Sequence, residues 1–378
     1  MRQIWYDRRY RSVLWQVLAV AGVALLSSFL LGNLFDNLAR RGIASGFGFL
    51  DSTAGFGVTM SLIPYSEAST YGRAFVVGLL NTLLVSVLGI ICATVLGFAI
   101  GIGRLSRNWL IARLATIYIE TLRNIPLLLQ IFFWYFAALH ALPSPRNSHG
   151  FADAIFLNVR GLYMPSPVIE SGLVWLVLGA LGGLAGAALY LRYSNGRFVR
   201  AAAIFVGVTG LVALAALPGG FSLSWDVPAL RGFNYRGGWV LIPELVALLL
   251  ALTLYTAAFI AEVVRAGIEA VPRGQLEAAA SLGLSRRRIL IDIVIPQAMR
   301  VIIPPLTNQY LNLTKNSSLA AAIAYPDLIS VFAGTVLNQT GQAVEVIVIT
   351  MAVYLAISLV IAMWMNFYNR RVTSRGGA

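Results

Sequence analysis

A short polar segment in the last third of this sequence carries its most specific residue pattern. Four residues share the spacing i, i+3, i+4 and i+7, which defines one face of a helix: Leu276, Ala279, Ala280 and Gly283. Pro272 suits the first helical turn, Gly283 suits the C-terminal end, and Ser285 suits the cap of a second helix that runs to Pro296. Because two turns cannot bury this small-residue face by themselves, we expect another element to dock on it.

Seven polar side chains lie inside otherwise apolar stretches, where such groups are costly and often functional: Asn81, Glu244, Glu262, Asn308, Gln309, Asn312 and Lys315. Asn308 and Asn312 can donate hydrogen bonds to an anionic group, and Glu244 can accept them from a cationic group. Hydrogen bonding between helices accounts for these residues equally well. The sequence leaves both interpretations open.

The residues that enzymes and metal sites require are scarce. No apolar stretch groups His, Asp or Ser into a catalytic constellation, so we predict no catalytic residues. The single cysteine, Cys92, excludes an internal disulfide, and the isolated histidines predict no metal site. A phosphate-binding loop needs lysine directly after glycine, whereas Lys315 lies between Thr314 and Asn316. We therefore expect no cofactor in this chain.

Long apolar runs make up most of the sequence. Of its 378 residues, 58% are hydrophobic and 11% are charged, whereas soluble domains have about 25% charged residues. Runs of about twenty apolar residues match the hydrocarbon thickness of a bilayer. We therefore predict an all-α polytopic membrane protein. The net charge of +13 is assigned to membrane topology and contacts with lipids, and no nucleic-acid binding is expected.

About eight transmembrane helices are expected, and they cover residues 13–34, 74–103, 115–142, 172–191, 198–217, 239–264, 301–337 and 344–368. The first is interpreted as a retained signal anchor, because no cleavage site follows it. The seventh should be broken, since prolines punctuate it and the polar run 312–318 interrupts it. Glycines four residues apart, as at Gly97 and Gly101, predict close packing of helices.

The arginines are distributed unevenly between alternate loops. Twenty lie on the side of both chain termini and seven on the other side. Arginine-rich loops stay in the cytoplasm, so both termini and the loop 265–300 are expected there. An even number of spans agrees with this orientation.

Two neighbouring segments resemble the EAA signature of permease subunits in bacterial ABC importers: Glu277-Ala278-Ala279-Ala280-Ser281-Leu282-Gly283 and, after nine residues, Ile293-Val294-Ile295-Pro296. Ile295 departs from it, because leucine is usual before the proline. Flanking residues 120–130, 261–268 and 296–300 look like those of the polar amino acid and opine permeases. The resemblance covers about residues 78–142 and 240–368, and the additional spans resemble the larger permeases of general L-amino acid importers.

This resemblance implies a five-helix type I, MetI-like permease core in the bacterial inner membrane. It also implies that one helix couples the chain to a cytoplasmic ATPase subunit, through these residues: Glu277, Ala278, Ala279, Gly283, Ile293 and Pro296. ATP and Mg²⁺ would then be bound by the ATPase and not by this chain. The other implied partners are a second, related permease subunit, a periplasmic amino acid-binding protein and membrane lipids.

The implied function is ATP-driven import of amino acids, either polar or broad-range L-amino acids, from periplasm to cytoplasm. Asn308 and Asn312 would bind the carboxylate of the zwitterion, and Glu244 its ammonium group. A secondary amino acid transporter that needs no ATPase is the alternative, and a membrane enzyme or channel subunit is a third class.

Four regions are expected along the chain. Residues 1–73 form a cytoplasmic tail, the extra first span and a periplasmic segment, and residues 74–142 form the first part of the permease core. Residues 143–238 are an insertion with two extra spans, and residues 239–378 complete the core with the coupling loop 265–300.

Overall fold

The computed structural model describes residues 8–40, 46–171, 173–193, 198–216 and 222–374. The chain divides into two compact units: unit 1 comprises Met1–Pro126 and Leu252–Ala378, and unit 2 comprises Leu127–Ala251. The α-helices of the described part are, in chain order, α1 Arg8–Arg40, α2 Tyr71–Arg104, α3 Trp109–Asn124, α4 Leu127–Phe132, α5 Leu173–Tyr193, α6 Phe198–Ala216, α7 Pro243–Glu269, α8 Arg273–Ser281, α9 Arg286–Arg288, α10 Ile295–Asn316, α11 Leu337–Thr340 and α12 Ala343–Ser374.

Five helical stretches of the described chain are long and apolar enough to cross a membrane: Tyr10–Leu30, Tyr71–Arg104, Pro243–Glu269, Arg286–Ile323 and Ala343–Val372. A sixth span results if α3 and the stretch Leu127–Leu139 count as one broken helix. The apolar helices α5 and α6 are shorter within the described residues. With these two, the helices agree with the predicted total of about eight, and the predicted all-α polytopic fold class is confirmed.

Two predicted spans differ in detail from the helices of the structure. The single span predicted over residues 115–142 is interrupted, because α3 ends at Asn124 and a new helix begins only after Pro126. Proline disfavours helical geometry in the residue before it, which accounts for the break at Ile125. The span predicted to begin at residue 239 begins at Pro243 instead, where proline is suited to the first helical position.

The predicted break in the seventh span is confirmed, because α10 ends at Asn316, within the polar run 312–318. Its hydroxyl groups bond within the helix, since Thr314 Oγ1 donates to the Tyr310 carbonyl at 3.0 Å and Ser317 Oγ donates to the Thr314 carbonyl at 2.8 Å. A 3-10 helix follows from Ser317 to Ile323, and the backbone turns at Ala324, whose φ is +57°. The predicted end of the second helix at Pro296 was wrong, because Pro296 lies in the first turn of α10.

Short β-strands, which the sequence did not predict, form part of unit 2. His149–Phe151, Ile155–Asn158, Gly161–Met164 and Trp239–Leu241 make a four-stranded antiparallel sheet. Two further antiparallel pairs join Ser166–Ser171 to Ser222–Asp226 and Ala229–Arg231 to Asn234–Arg236. The insertion therefore consists of two helices attached to paired strands.

Helix α2 lies against α7 through glycines, as their spacing predicted. A Cβ atom on Gly97 would lie 2.6 Å from Ile260 Cβ, and a Cβ atom on Gly101 would lie 2.6 Å from the Ala261 carbonyl oxygen. The two backbones can approach this closely only because neither glycine carries a side chain. Buried residues of α2, α7, α10 and α12 form the main core of unit 1, among them Ala93, Ile260, Ile303, Leu313 and Met365.

We expect Gly101→Ala to destabilise the protein by about 1–3 kcal/mol, because the added methyl group must displace the α7 backbone. The measurement is thermal unfolding of the purified chain in detergent. Gly207→Ala in α6 is the matched control, since no atom lies within 4 Å of its Cβ position. Equal unfolding temperatures for both variants would contradict the close contact of α2 and α7.

Candidate coupling and substrate sites

Helix α8 ends in a glycine-terminated C-cap. The Gly283 N–H donates to the Ala280 carbonyl at 3.0 Å, and the Leu284 N–H donates to the Ala279 carbonyl at 3.2 Å. Gly283 has a φ of +75°, which glycine adopts at little cost. This pair of bonds is the Schellman motif, which stops the helix and redirects the chain. The predicted role of Gly283 as the helix end is therefore confirmed, and Pro272 lies just before the first helical residue.

The face of α8 that was predicted to need a partner is partly covered by the chain itself. Ala279 is buried, and Leu276 packs against the main core of unit 1. The expectation that another element docks on this face is therefore confirmed for Leu276 and Ala279, because the helical segment that re-enters unit 1 after Ser285 packs on them. Ala280 and Gly283 are exposed.

A different face of α8 is directed outward. Glu277, Ala278, Ala280 and Ser281 are exposed, and Leu282 at the helix end is 81% exposed. Within the described chain the Glu277 carboxylate makes no ion pair. This outward face combines one carboxylate, small residues and an exposed leucine.

The remaining predicted coupling residues lie on the helical segment that follows α8. Ser285 caps this segment, because its Oγ accepts a hydrogen bond from the Arg288 N–H at 3.5 Å. Ile293 is half-buried in a π-helical stretch, Ile289–Val294, and Pro296 is exposed in the first turn of α10. Gln297 of α10 donates to Gln275 of α8. Sequence reasoning missed this glutamine pair, which fixes α8 to the start of α10.

Four charged residues join the ends of α2 and α7 near the same loop. Glu262 accepts from Arg104 and Arg265, and Arg265 also donates to Glu269. Arg104 belongs to α2 and the others to α7, so this cluster links the two helices that precede the loop. Glu262 is therefore occupied by ion pairs and is not free to bind a ligand.

Asn308, Asn312 and Lys315 form a polar stripe along α10. They are spaced i, i+4 and i+7, which places them on one helix face, and all three are exposed in the isolated chain. Within the described residues the Lys315 ammonium makes no ion pair. An unpaired ammonium and two amides on a membrane helix are costly next to acyl chains, so the stripe must face water or another subunit.

Two cavities between α10 and α12 adjoin this stripe. A cavity of about 410 Å³ is lined by Lys315 and Ser318, together with Thr350, Tyr354 and Ser358 of α12. A smaller cavity of about 210 Å³ is lined by Thr307 and Asn308 on one side and by Asn366 and Asn369 on the other. The larger cavity thus combines one cation with several hydroxyl groups, which can bind a carboxylate.

Glu244 lies in unit 2, in the first turn of α7. The Tyr135 hydroxyl donates a hydrogen bond to its carboxylate at 3.0 Å. Asn308 and Asn312 belong to unit 1, where the structure places the two asparagines on one face of α10. Lys315, which was noted in the sequence but not selected, joins the asparagines.

Asn81 has a structural role at the end of the segment that carries Lys315. Its Nδ2 donates to the Met60 carbonyl at 2.9 Å and to the Pro326 carbonyl at 2.8 Å. Thr82 Oγ1 accepts from the Leu328 N–H at 3.0 Å. These bonds fasten the chain after the 3-10 helix to α2.

No group of three or more His, Cys, Asp or Glu side chains could hold a metal ion in the described ranges.

The chain belongs to the family of inner membrane components of binding-protein-dependent transport systems, whose model matches residues 86–374. The predicted class, the permease subunit of an ABC importer, is thereby confirmed, as is the resemblance to amino acid permeases. The chain is 56% identical to the putative amino-acid ABC transporter permease protein YhdX of Escherichia coli over 369 residues, which are 96% of this chain and 94% of that protein.

Two further relatives extend over nearly the whole chain. The general L-amino acid transport system permease protein AapQ of Rhizobium johnstonii is 48% identical, and the match covers 98% of this chain and 94% of AapQ. The glutamate/glutamine/aspartate/asparagine transport system permease protein BztB of Rhodobacter capsulatus is 41% identical over 97% of this chain and 95% of BztB. A crystal structure of an amino acid ABC transporter with histidines matches 80% of this chain and 95% of its own at 22% identity and a TM-score of 0.49.

Proposed function

We propose that this chain is the permease subunit of an ATP-driven importer that carries L-amino acids from the periplasm to the cytoplasm. Three relatives at 41–56% identity, which match almost the entire chain, are all named as amino acid permeases. The single observation that carries the coupling to ATP is α8, a capped surface helix whose outward face is exposed while its inner face packs on unit 1. Movement of α8 would therefore be transmitted to α10.

The proposed partners follow from the exposed surfaces of unit 1. A cytoplasmic ATPase subunit, which binds ATP and Mg²⁺, would receive the outward face of α8, with Glu277 as a polar contact and Leu282 as an apolar one. A second permease subunit would cover the polar stripe of α10 and enclose a water-filled path. A periplasmic binding protein would deliver the amino acid to this path.

The proposed substrate site is the polar stripe with its larger cavity. The Lys315 ammonium would bind the α-carboxylate of the amino acid, and Asn308 and Asn312 would bind it along the path. The predominantly apolar walls of this cavity would tolerate different side chains, which suits a broad-range transporter. The role of Glu244 as acceptor for the ammonium group stays a prediction and is not part of this site.

Uptake by whole cells tests the proposed substrate class. A strain that lacks the amino acid importers should take up labelled L-amino acids when it expresses this chain with its partner subunits, and unlabelled L-amino acids should compete. Sugars or metal ions should not compete. Uptake that no L-amino acid reduces would contradict the proposed function.

The orientation can be tested by labelling a single cysteine. In a Cys92→Ser background, a cysteine introduced by Ser285→Cys lies at an exposed position after α8. We expect an impermeant thiol reagent to label it only after the membrane is opened, because the loop 265–300 should be cytoplasmic. Arg231→Cys, in the strands of unit 2, is the matched control that intact cells should label. Labelling of Ser285→Cys in intact cells would reverse the proposed orientation.

Residues 143–238 are proposed to lie outside the transport path. The family resemblance continues on either side of them, and α5 packs closely on α6 through Gly179 and Gly183. We expect partial uptake when a short periplasmic linker replaces this stretch and the complex still assembles. Copurification of the partner subunits verifies assembly. An assembled complex with no uptake would place the insertion in the path.

A further inference from the structure

An apolar cavity of about 210 Å³ lies beside the coupling loop in unit 1. Phe98 and Ile102 of α2, Val264 and Ile268 of α7, and Leu290 and Met299 of the re-entering helical segment line it, and no polar side chain does. An amino acid or a nucleotide would lose its hydrogen bonds to water there without replacement. The cavity therefore suits hydrocarbon and excludes the polar ligands of a transport cycle.

The rim of this cavity belongs to the outer surface of the chain. Ile102 is 57% exposed, Leu290 is 48% exposed and Ile295 is 45% exposed. A void sealed inside the core would be lined by buried side chains only. This cavity is therefore a pocket that a flexible hydrocarbon chain can enter from the membrane.

Three consecutive arginines precede the lining residue Leu290 on the same helical segment. Arg286, Arg287 and Arg288 are all exposed, and none makes an ion pair within the described chain. Arg286 and Arg287 are four and three residues before Leu290, about one helical turn away on the same segment. Positive charge thus adjoins the rim of the apolar pocket. This combination matches a lipid with an acyl chain and an anionic headgroup.

We propose that this pocket binds an acyl chain of an anionic phospholipid, whose phosphate is held by Arg286, Arg287 and Arg288. Placing the lipid in the cytoplasmic leaflet rests on the orientation in the proposed function. Val294 lines the pocket and belongs to the hydrophobic cluster on which Leu276 of α8 packs. A bound lipid would therefore support the surface that holds the coupling helix.

Lipid binding can be measured on the purified full-length chain by native mass spectrometry, without the ATPase or ATP. The delipidated protein is mixed with phosphatidylglycerol, phosphatidylcholine or sn-glycerol 3-phosphate. We expect phosphatidylglycerol to be retained, and the neutral lipid and the free headgroup to be lost. Retention of free glycerol phosphate alone would indicate a simple anion site and would overturn the proposal.

Two variants test the two halves of the site. Leu290→Trp should fill the pocket and weaken phosphatidylglycerol binding at least about tenfold, which is about 1.4 kcal/mol. Ile291→Trp is the matched control, because Ile291 is also 48% exposed and does not line the pocket. The preference for phosphatidylglycerol over phosphatidylcholine should be lost in the triple variant Arg286→Gln, Arg287→Gln, Arg288→Gln. Arg107→Gln, which removes an arginine elsewhere, is the control and should keep this preference.

Equal lipid retention by Leu290→Trp and the unaltered chain would overturn the proposal. Equal binding of phosphatidylglycerol and phosphatidylcholine by the unaltered chain would also overturn it. A structure of the assembled complex in which a helix of the second permease fills the pocket would do the same. None of these measurements involves transport. Failure of amino acid uptake would therefore leave the lipid site standing, and failure of lipid binding would leave the proposed function standing.

Discussion

Glu277→Lys and Gly283→Asp are each expected to abolish amino acid uptake and substrate-stimulated ATP hydrolysis while the chain still inserts and folds. Glu277→Lys reverses the acidic charge on the outward face of α8, and loss of a hot-spot residue in an interface costs about 2 kcal/mol or more. Gly283→Asp places a side chain where φ is +75°, at a cost of about 1 kcal/mol, and adds bulk and charge at the end of the docking helix.

The measurements are the amount of chain in the membrane, copurification of the ATPase, ATP hydrolysis and uptake. Glu277→Gln keeps the shape of the side chain and should lose only part of the coupling. Gly274→Asp is the matched control for Gly283→Asp, because Gly274 lies in the first turn of the same helix, has no atom within 4 Å of its Cβ position and has ordinary backbone geometry. Coupled transport at normal rates in both Glu277→Lys and Gly283→Asp would refute the role of α8.

Lys315→Met is expected to have the second largest effect. If the ammonium binds the substrate carboxylate, its loss leaves a charge without a partner in the path, which typically costs 2 kcal/mol or more. The substrate concentration for half-maximal uptake should rise about 30-fold or more. ATPase copurification and basal ATP hydrolysis should be unchanged, because Lys315 is distant from α8 along the chain.

Two further variants separate charge recognition from packing. Lys315→Arg retains the cation and should recover much of the uptake. Ser318→Ala alters the same cavity without a change of charge and should lower uptake only slightly. Uptake by Lys315→Met with an unaltered concentration dependence would show that the ammonium does not bind the substrate.

The coupling helix was predictable because its determinants are local. The periodicity of Leu276 and Ala279, and a glycine where φ is positive, specify a short helix and its end without any distant contact. The direction in which the helix faces was not predictable. Leu276 and Ala279 are covered because the segment after Ser285 folds back on them, and this contact depends on tertiary packing.

The strands of unit 2, unlike the coupling helix, could not be predicted from local sequence. Strand Trp239–Leu241 pairs with Gly161–Met164, and two helices lie between them in the chain. Strands of three to six residues carry little periodic signal, and their partners are far apart in sequence. The break after α10, by contrast, was predictable from the local polar run 312–318, because the α-helix ends at Asn316 and a 3-10 helix follows.

Which polar residues have a structural role and which are candidate binding groups also depended on the fold. Asn81 fastens two segments and Glu262 is held by arginines, whereas Asn308 and Lys315 line cavities. All four looked alike as polar residues in apolar runs. Only their neighbours, which come from other helices, separate structural groups from candidate binding groups.

Uptake by proteoliposomes with defined subunits tests the central claim most directly. The chain is reconstituted with its second permease subunit and supplied with the periplasmic binding protein and a labelled L-amino acid, either with or without the ATPase subunit. We predict uptake only when the ATPase and ATP are both present, and no uptake when the ATPase is present and Glu277→Lys is introduced. Amino acid uptake driven by an ion gradient in vesicles that lack the ATPase would contradict the account and identify a secondary transporter.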